Sequence, residues 1–363
     1  MSDAVGAGLT VRSHKGPYDV LFGDRAAAGL DALAAGGRPL HVIVDERVAD
    51  LHGDRLAPLL AGPSVLRLAA TETNKSLEKF PAYVDHLVAT GIRRDHLLVA
   101  VGGGIIQDIT CFLAATMLRG VEWAFCPTTL LAQADSCIGS KSSINSAAAK
   151  NILGTFTPPR TIYLDVAFQA TLDARDVRSG IGEILKVHAI DGPESFAVIA
   201  ADYDRLFTEP DVMLRYVRAA LEIKKAYIEE DEFDRGPRNI FNYGHTFGHA
   251  IEAATEFAIP HGIAVTIGMD MANFVATRVG DGSEDHFRRL RPTLAANYEG
   301  FQSHPVPFDA FLGAILKDKK NTGAGSVTMI LPGADGRLAK VTHAADDAFT
   351  SACRTFLEEV RPA

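Results

Sequence analysis

The chain lacks most of the features that would send it to a membrane, to nucleic acid or to an oxidising compartment. No run approaches the roughly 18 continuous apolar residues of a membrane span. Basic residues do not outnumber acidic ones: 36 Lys and Arg face 45 Asp and Glu, a net charge of -9. A field of that sign gives no general attraction to nucleic acid or to an anionic membrane surface. Cysteine is scarce, with Cys111, Cys126, Cys137 and Cys353 and no C-x-x-C pair among them. That excludes a disulfide framework and leaves buried free thiols as the expectation. The amino terminus, MSDAVGAGLTVRSHKG, has no basic segment followed by an apolar core, so no secretory signal is expected and the cytoplasm is the expected compartment. There is no internal repeat and no low-complexity linker.

What is present is ordinary globular material in generous supply. The 363 residues are 47% hydrophobic and 22% charged, enough for two cores. In the first half, short apolar runs alternate with Ala/Leu-rich segments. HVIVDERV (41–48), SVLRLAA (64–70), LLVAVGGG (97–104), WAFCPTT (123–129) and TIYLD (161–165) read as strands. RAAAGLDALAAGG (25–37) and SLEKFPAYVDHLVATG (76–91) read as helices. Near-continuous apolar strands alternating with helices predict a parallel sheet covered on both faces. After about residue 166 helical periodicity dominates, with one β-like run, SVTMILP (326–332), near the end. The expected organisation is an α/β domain over 1–165 and a helical domain over 166–363.

Three histidines fall close together in FNYGHTFGHAIEAATEFAIPHG (241–262): His245, His249 and His261. His245 and His249 are four apart and share a helix face. Gly244, Gly248 and Ala250 leave room for close approach to it. Imidazole is the commonest zinc-type ligand, and a catalytic zinc takes three protein ligands with one position open. Two histidines and a distant carboxylate would meet that count, as would three histidines; polar residues on an ordinary helix are the rival reading.

Other groups sit where parallel sheets bind ligands, at strand carboxyl ends. Gly102, Gly103 and Gly104 end a buried strand, with Asp108 one turn on. GGGxxxD alone is a weak nucleotide signal, equally suited to a tight turn. Asp45 ends another strand, and Glu72 and Lys75 follow a third. Residues 127–155 gather Asp135, Lys141, Asn145, Lys150 and Asn151 among small residues. Lysines there suit phosphate, although a solvated loop also explains them. Glu183 and Lys186 share a helix face, which a surface ion pair would explain equally. Lys224 falls on an apolar stripe with Val217, Leu221 and Ile228, so it must snorkel out or face a polar cavity. Arg238 and Asn242 precede the histidines, and Lys224 with Arg238 offers a carboxylate clamp.

In combination these segments resemble the 3-dehydroquinate synthase group of sugar phosphate cyclases. The resemblance runs from about Asp45 to Lys320 and rests on GGGIIQD (102–108), PTTLLAQADS (127–136), KSSIN with KN (141–151), GEILK (182–186), the EIK–DE segment (222–232) and NYGHTFGHAIE with HG (242–262). It implies a Rossmann-like NAD-binding α/β domain, an α-helical metal-binding domain, an active site between them and a homodimer. It implies Glu183, His245 and His261 as ligands of zinc, or of cobalt, and moves His249 to the substrate phosphate. It implies NAD contacts at Asp45, Glu72, Lys75, Gly103, Gly104, Ile105, Asp108, Thr128 and Thr129, with Lys141, Lys150 and Asn151 near the nicotinamide end. Substrate contacts would come from Asp135, Lys141, Lys186, Lys224, Arg238, Asn242 and one of Lys319 or Lys320. Arg119 would reach a neighbouring subunit's phosphate site.

The implied reaction is redox-neutral overall. A secondary alcohol of a seven-carbon ketose phosphate is oxidised at NAD, which acidifies the neighbouring C–H. Phosphate is eliminated, the hydride returns, the ring opens and an intramolecular aldol closes a carbocycle. The chain departs from the family pattern in places. GGKTGIN appears as GSKSSIN, GGGVVGD as GGGIIQD and KNLIGAF as KNILGTF. Asp234 stands where the synthase has a glutamate proton acceptor, and Ile263 replaces a glutamate after the last His-Gly. Such changes suit a sister cyclase acting on sedoheptulose 7-phosphate. Retention of Lys224, Arg238 and Asn242 favours the carboxylate-bearing substrate, because that sugar leaves such a cluster unmatched. An iron-type NAD-dependent alcohol dehydrogenase and a non-catalytic sugar-phosphate sensor are the rival classes.

Overall fold

The structure is a computed structural model that describes residues 8–317, 321 and 325–362. Two compact units emerge, Met1–Leu172 with Lys224–Phe233, and Asp173–Ile223 with Asp234–Ala363. The sequence placed the division near residue 165. The contacts place it at 172 and also assign 224–233, with Lys224, to the first unit.

The first unit is built on a seven-stranded sheet: β1 (Leu9–Val11), β2 (Tyr18–Phe22), β3 (Leu40–Asp45), β4 (Val65–Leu68), β5 (Leu97–Gly102), β6 (Glu122–Pro127) and β7 (Thr161–Leu164). Their order is β1-β2-β7-β6-β5-β3-β4. All pairs are parallel except β1 with β2. The chain passes from β3 to the edge strand β4, then back across β3 to β5 and onward to β6. Strand order therefore reverses between β3 and β5, the switch point where open α/β sheets bind ligands. β5 is buried along its whole length, as its unbroken apolar run requires. Val42 and Val44 of β3 pack with Val99 and Val101 of β5 in the core under this point.

The second unit is mainly helical. Its central elements are helices Ala174–Asp191, His245–Ala254 and His261–Val279. The run at 326–332 is β8 (Ser326–Pro332), paired antiparallel with β9 (Leu338–Ala344). The sequence reading did not include β1, β2 or β9. β9 has no fully buried residue and carries Lys340 and His343, so it lacks an apolar signature. All four cysteines are free and buried. No described helix is long and apolar enough to cross a membrane.

Candidate active site

The first unit gathers one group of polar residues at the carboxyl ends of β3, β4 and β5. Gly102 ends β5, Gly103 caps the helix Gly104–Thr116, and the helix amino terminus opens directly onto the strand end. A Cβ on Gly103 would stand 2.9 Å from Thr129 Cγ2, so any larger residue would have to push that side chain aside. Thr128 N donates to Gly102 O at 3.0 Å. The buried Thr128 hydroxyl has no hydrogen-bond partner among the described residues. An orphaned hydroxyl beside a side-chain-free turn at a helix amino terminus fits a pyrophosphate.

Around that turn, Lys75 Nζ lies 3.2 Å from Asp108 Oδ2 and 3.1 Å from Asn151 Oδ1. Glu72 Oε1 is 3.6 Å from the same ammonium. Asn145 Nδ2 donates to Glu72 Oε2 at 2.8 Å, and Ser143 N donates to Asp108 Oδ1 at 3.0 Å. Burial pushes the Asp108 carboxyl up to about 6, against the pull of Lys75. Asn151 adopts φ 53, the left-handed region that asparagine tolerates best after glycine. Glu72, Lys75, Asp108, Asn145 and Asn151 thus form one network, although they come from distant segments. Asp45 caps the helix Glu46–Leu51 by accepting from Arg47 N at 3.0 Å, so one of its oxygens is already engaged. Ile105 lies in the first turn of the helix after the glycines. Lys141 and Lys150 are exposed. Lys224, buried on its apolar stripe, sets Nζ 2.9 Å from Asp135 Oδ1. Arg119 is exposed at φ 66, directly after Leu118 at φ 51.

The second unit brings the histidines together with Glu183. His245 Nε2 is 3.7 Å and His261 Nε2 is 3.4 Å from Glu183 Oε1. Two ligands of one tetrahedral zinc, at bond lengths near 2.1 Å, stand roughly 3.4 Å apart, so these spacings match a shared cation. The ligand atoms of His245, His249 and His261 also lie within 4.8 Å of one another. Geometry therefore admits His249 beside the cation as well as near it.

Why do these helices come so close? Each ligand has a glycine as its chain neighbour. A Cβ on Gly182 would meet Gly262 O at 2.3 Å, and one on Gly262 would meet Ser179 O at 1.8 Å. The helices bearing Glu183 and His261 thus touch backbone to backbone. Gly244, left-handed at φ 75, and Gly248 let the helix bearing His245 press on Val265 and Met269 in the same way.

The other ring nitrogens are held too. His245 Nδ1 faces Tyr243 O at 3.1 Å, and His261 Nδ1 faces Glu252 Oε2 at 3.1 Å. Such partners fix the tautomer that leaves Nε2 for a metal. Burial and the neighbouring Lys186 hold the His245 imidazole well below its usual range, in the neutral form that a metal needs. Burial also opposes charge on Glu183, but Lys186 and the histidines outweigh it and keep the carboxylate ionised. Burial opposes charge on His261, yet hydrogen bonds to Glu183 and Glu252 raise it to about 10. Two carboxylates around one imidazole call for a positive charge, and a divalent cation meets that demand.

Lys186 is buried, pairs with Glu183 and lies 5.7 Å from the Phe241 ring centroid. Arg238 is buried in the short helix Pro237–Asn242, which Asn242 ends by donating Nδ2 to Asn239 O at 2.9 Å. Asp234 adopts φ 57 and receives Asn239 Nδ2 at 3.3 Å. Lys319 and Lys320 lie outside the described residues.

Glu252 is the residue that sequence reasoning missed. A signal was available: His245, His249 and Glu252 stand at i, i+4 and i+7, one face of one helix.

Comparison with known proteins identifies the family. Residues 65–179 match the 3-dehydroquinate synthase N-terminal family and residues 180–321 the C-terminal one. The 3-dehydroquinate synthase of Paracoccus denitrificans is 36% identical over 360 residues, covering 95% of this chain and 96% of its own. That of Sinorhizobium medicae is 36% identical over 363 residues, covering 95% and 93%. Among solved structures, 2-epi-5-epi-valiolone synthase from Streptomyces hygroscopicus, with NAD+ and Zn2+ bound, is 30% identical with a TM-score of 0.81, covering 94% and 97%. A 2-deoxy-scyllo-inosose synthase with carbaglucose-6-phosphate, NAD+ and Co2+ shares the fold at TM-score 0.82 and 22% identity, covering 96% and 99%. With two matched halves and relatives of this identity along nearly its whole length, the chain belongs to the 3-dehydroquinate synthase family of sugar phosphate cyclases.

Proposed function

We propose that this protein is an NAD- and divalent-metal-dependent cyclase that converts a seven-carbon ketose phosphate bearing a carboxylate into a carbocycle, with loss of phosphate. The observation that carries the reading is the cluster of Glu183, His245 and His261, with both Nε2 atoms at ligand spacing from one carboxylate oxygen. It occurs in a chain 36% identical to 3-dehydroquinate synthases along nearly its whole length. NAD is assigned to the glycine turn and the Lys75–Asp108–Asn151 network, and zinc or cobalt to the cluster. When bound, the metal polarises the alcohol oxygen to be oxidised and lowers its pKa. NAD supplies a hydride acceptor that is restored before turnover ends.

The protein's own groups bind and orient. Lys186 is held against Glu183 beside the cluster, and burial together with Lys186 holds His245 well below its usual range. Arg238 is a buried, permanently charged fork suited to a substrate carboxylate, and Asn242 is assigned to a neighbouring hydroxyl. Asp135 and Lys224 form a second pair assigned to substrate hydroxyls. Asp234 takes the position of the proton-accepting acid, and His249 that of the phosphate contact. Arg119, on its exposed left-handed turn, is assigned to the phosphate site of a second copy, which makes the working form a homodimer. The assigned compartment is the cytoplasm.

The 30% identity to a valiolone synthase and the divergent GSKSSIN segment favour one alternative, a sedoheptulose 7-phosphate cyclase. The deciding experiment compares phosphate release from 3-deoxy-arabino-heptulosonate 7-phosphate and from sedoheptulose 7-phosphate, with added NAD and zinc. Preference for the first supports the carboxylate reading, and preference for the second overturns it.

A further inference from the structure

Glu252 has no role in the family pattern as read from the sequence, yet it is tied to the metal cluster at two points. Its side chain is buried, with Oε2 at 3.1 Å from His261 Nδ1. Its carbonyl oxygen accepts from Phe257 N at 2.8 Å, at the start of the loop that leads to His261. That loop contains two successive left-handed residues other than glycine, Glu256 at φ 51 and Phe257 at φ 63. Such backbone persists only where its surroundings hold it, and Glu252 anchors the loop at one end and the imidazole at the other.

We propose that Glu252 is the positioning residue of the metal centre, acting through His261. An imidazole has two nitrogens, and either can carry the single proton of the neutral ring. A carboxylate is an acceptor only, so Glu252 requires Nδ1–H and leaves the Nε2 lone pair directed at the space beside Glu183 Oε1, 3.4 Å away. That position between Nε2 and the carboxylate oxygen takes a proton or a metal cation. Glu252 thereby fixes the ring so that Nε2 points at Glu183, where a divalent cation can take the proton's place. It also adds negative charge. His245 needs no such residue, because Tyr243 O already holds its Nδ1.

This inference rests on the metal reading above, and its test separates the two. Metal-stripped protein is titrated with zinc against a chromophoric chelator, for wild type, Glu252→Gln and Glu252→Ala. The glutamine keeps shape and an acceptor oxygen but removes the charge; the alanine removes both. Loss of such an outer partner weakens metal affinity by roughly 10–100-fold. We expect about tenfold for glutamine and closer to a hundredfold for alanine. The metal-stripped glutamine variant should unfold at the wild-type temperature. The cobalt-substituted glutamine variant should show a shifted visible absorption spectrum, which a merely structural residue would leave unmoved. If the alanine variant does not fold, the glutamine variant decides. Wild-type zinc affinity together with a wild-type cobalt spectrum in the glutamine variant overturns the proposal. Wild-type protein that binds no metal overturns the metal reading instead, and this inference with it.

Discussion

Replacing Gly262 by alanine adds one methyl group and should cost the protein its metal. An ideal Cβ there lies 1.8 Å from Ser179 O, and real Cβ atoms essentially never come within 3.0 Å. The two backbones must therefore part by at least 1.2 Å, the difference between those figures. Neither side is a flexible side-chain end. Gly262 adjoins His261 and belongs to its helix, while Ser179 belongs to the helix of Glu183. Metal–ligand distances tolerate only about 0.2 Å, so a shift several times larger removes at least one ligand. Overpacking costs about 1–3 kcal/mol, and a backbone-to-backbone clash belongs at or above the upper end. At about 2–4 °C per kcal/mol for a unit of this size, 3 kcal/mol lowers Tm by roughly 6–12 °C. Gly313 is the internal control, because nothing lies within 4 Å of an added Cβ in its helix. Gly313→Ala should be neutral or stabilising by about 0.5–1 kcal/mol. The assay pairs metal content per chain with thermal unfolding before and after chelation. Gly262→Ala should bind little metal and show little further shift on chelation. A variant that keeps a full complement of metal and unfolds within about 2 °C of wild type would refute the close-packing argument.

Three further outcomes are expected. Arg238→Ala should lower kcat/KM for the carboxylate substrate by about 2 kcal/mol or more, roughly thirtyfold, and far less for sedoheptulose 7-phosphate; equal losses would remove the carboxylate assignment. Gly103→Ala should weaken NAD binding with metal content unchanged, because its Cβ would displace the Thr129 side chain beside the glycine turn, and calorimetry showing wild-type affinity would contradict this. Burial holds the His188 imidazole down at about 4, below its unfolded value near 6.5. Its folded form binds fewer protons, so its contribution is present above pH 6.5 and is lost as pH falls towards 4. Between pH 7.5 and pH 5 this amounts to about 2 kcal/mol, so urea unfolding should show wild type losing that much relative to His188→Gln. Parallel pH curves for the two proteins would contradict it.

The sequence was most legible where burial is complete. β5 and β3 show as unbroken apolar runs because helices cover both faces of a parallel sheet. β1, a three-residue edge strand, and β9, half-exposed, carry no comparable pattern. At the metal cluster, the two histidines four apart were visible because one helix supplies both. Glu183 lies more than fifty residues earlier, and only the resemblance brought it in. The contact that brings the Glu183 helix to the His261 helix is made by glycine backbones at 182 and 262, which leave no side-chain periodicity to read. Lys224 illustrates the converse. Its place on an apolar stripe left it to snorkel out or face a polar cavity, and the structure buries it against Asp135, 89 residues away in sequence.

The central claim is a redox-neutral cyclase, and a single progress curve tests it most directly. Enzyme with zinc and NAD is given 3-deoxy-arabino-heptulosonate 7-phosphate, while inorganic phosphate and NADH absorbance are followed together. The account predicts many equivalents of phosphate per enzyme with no net accumulation of NADH. NADH rising in proportion to substrate consumed, without phosphate release, would contradict it and place the protein with the metal-dependent alcohol dehydrogenases instead.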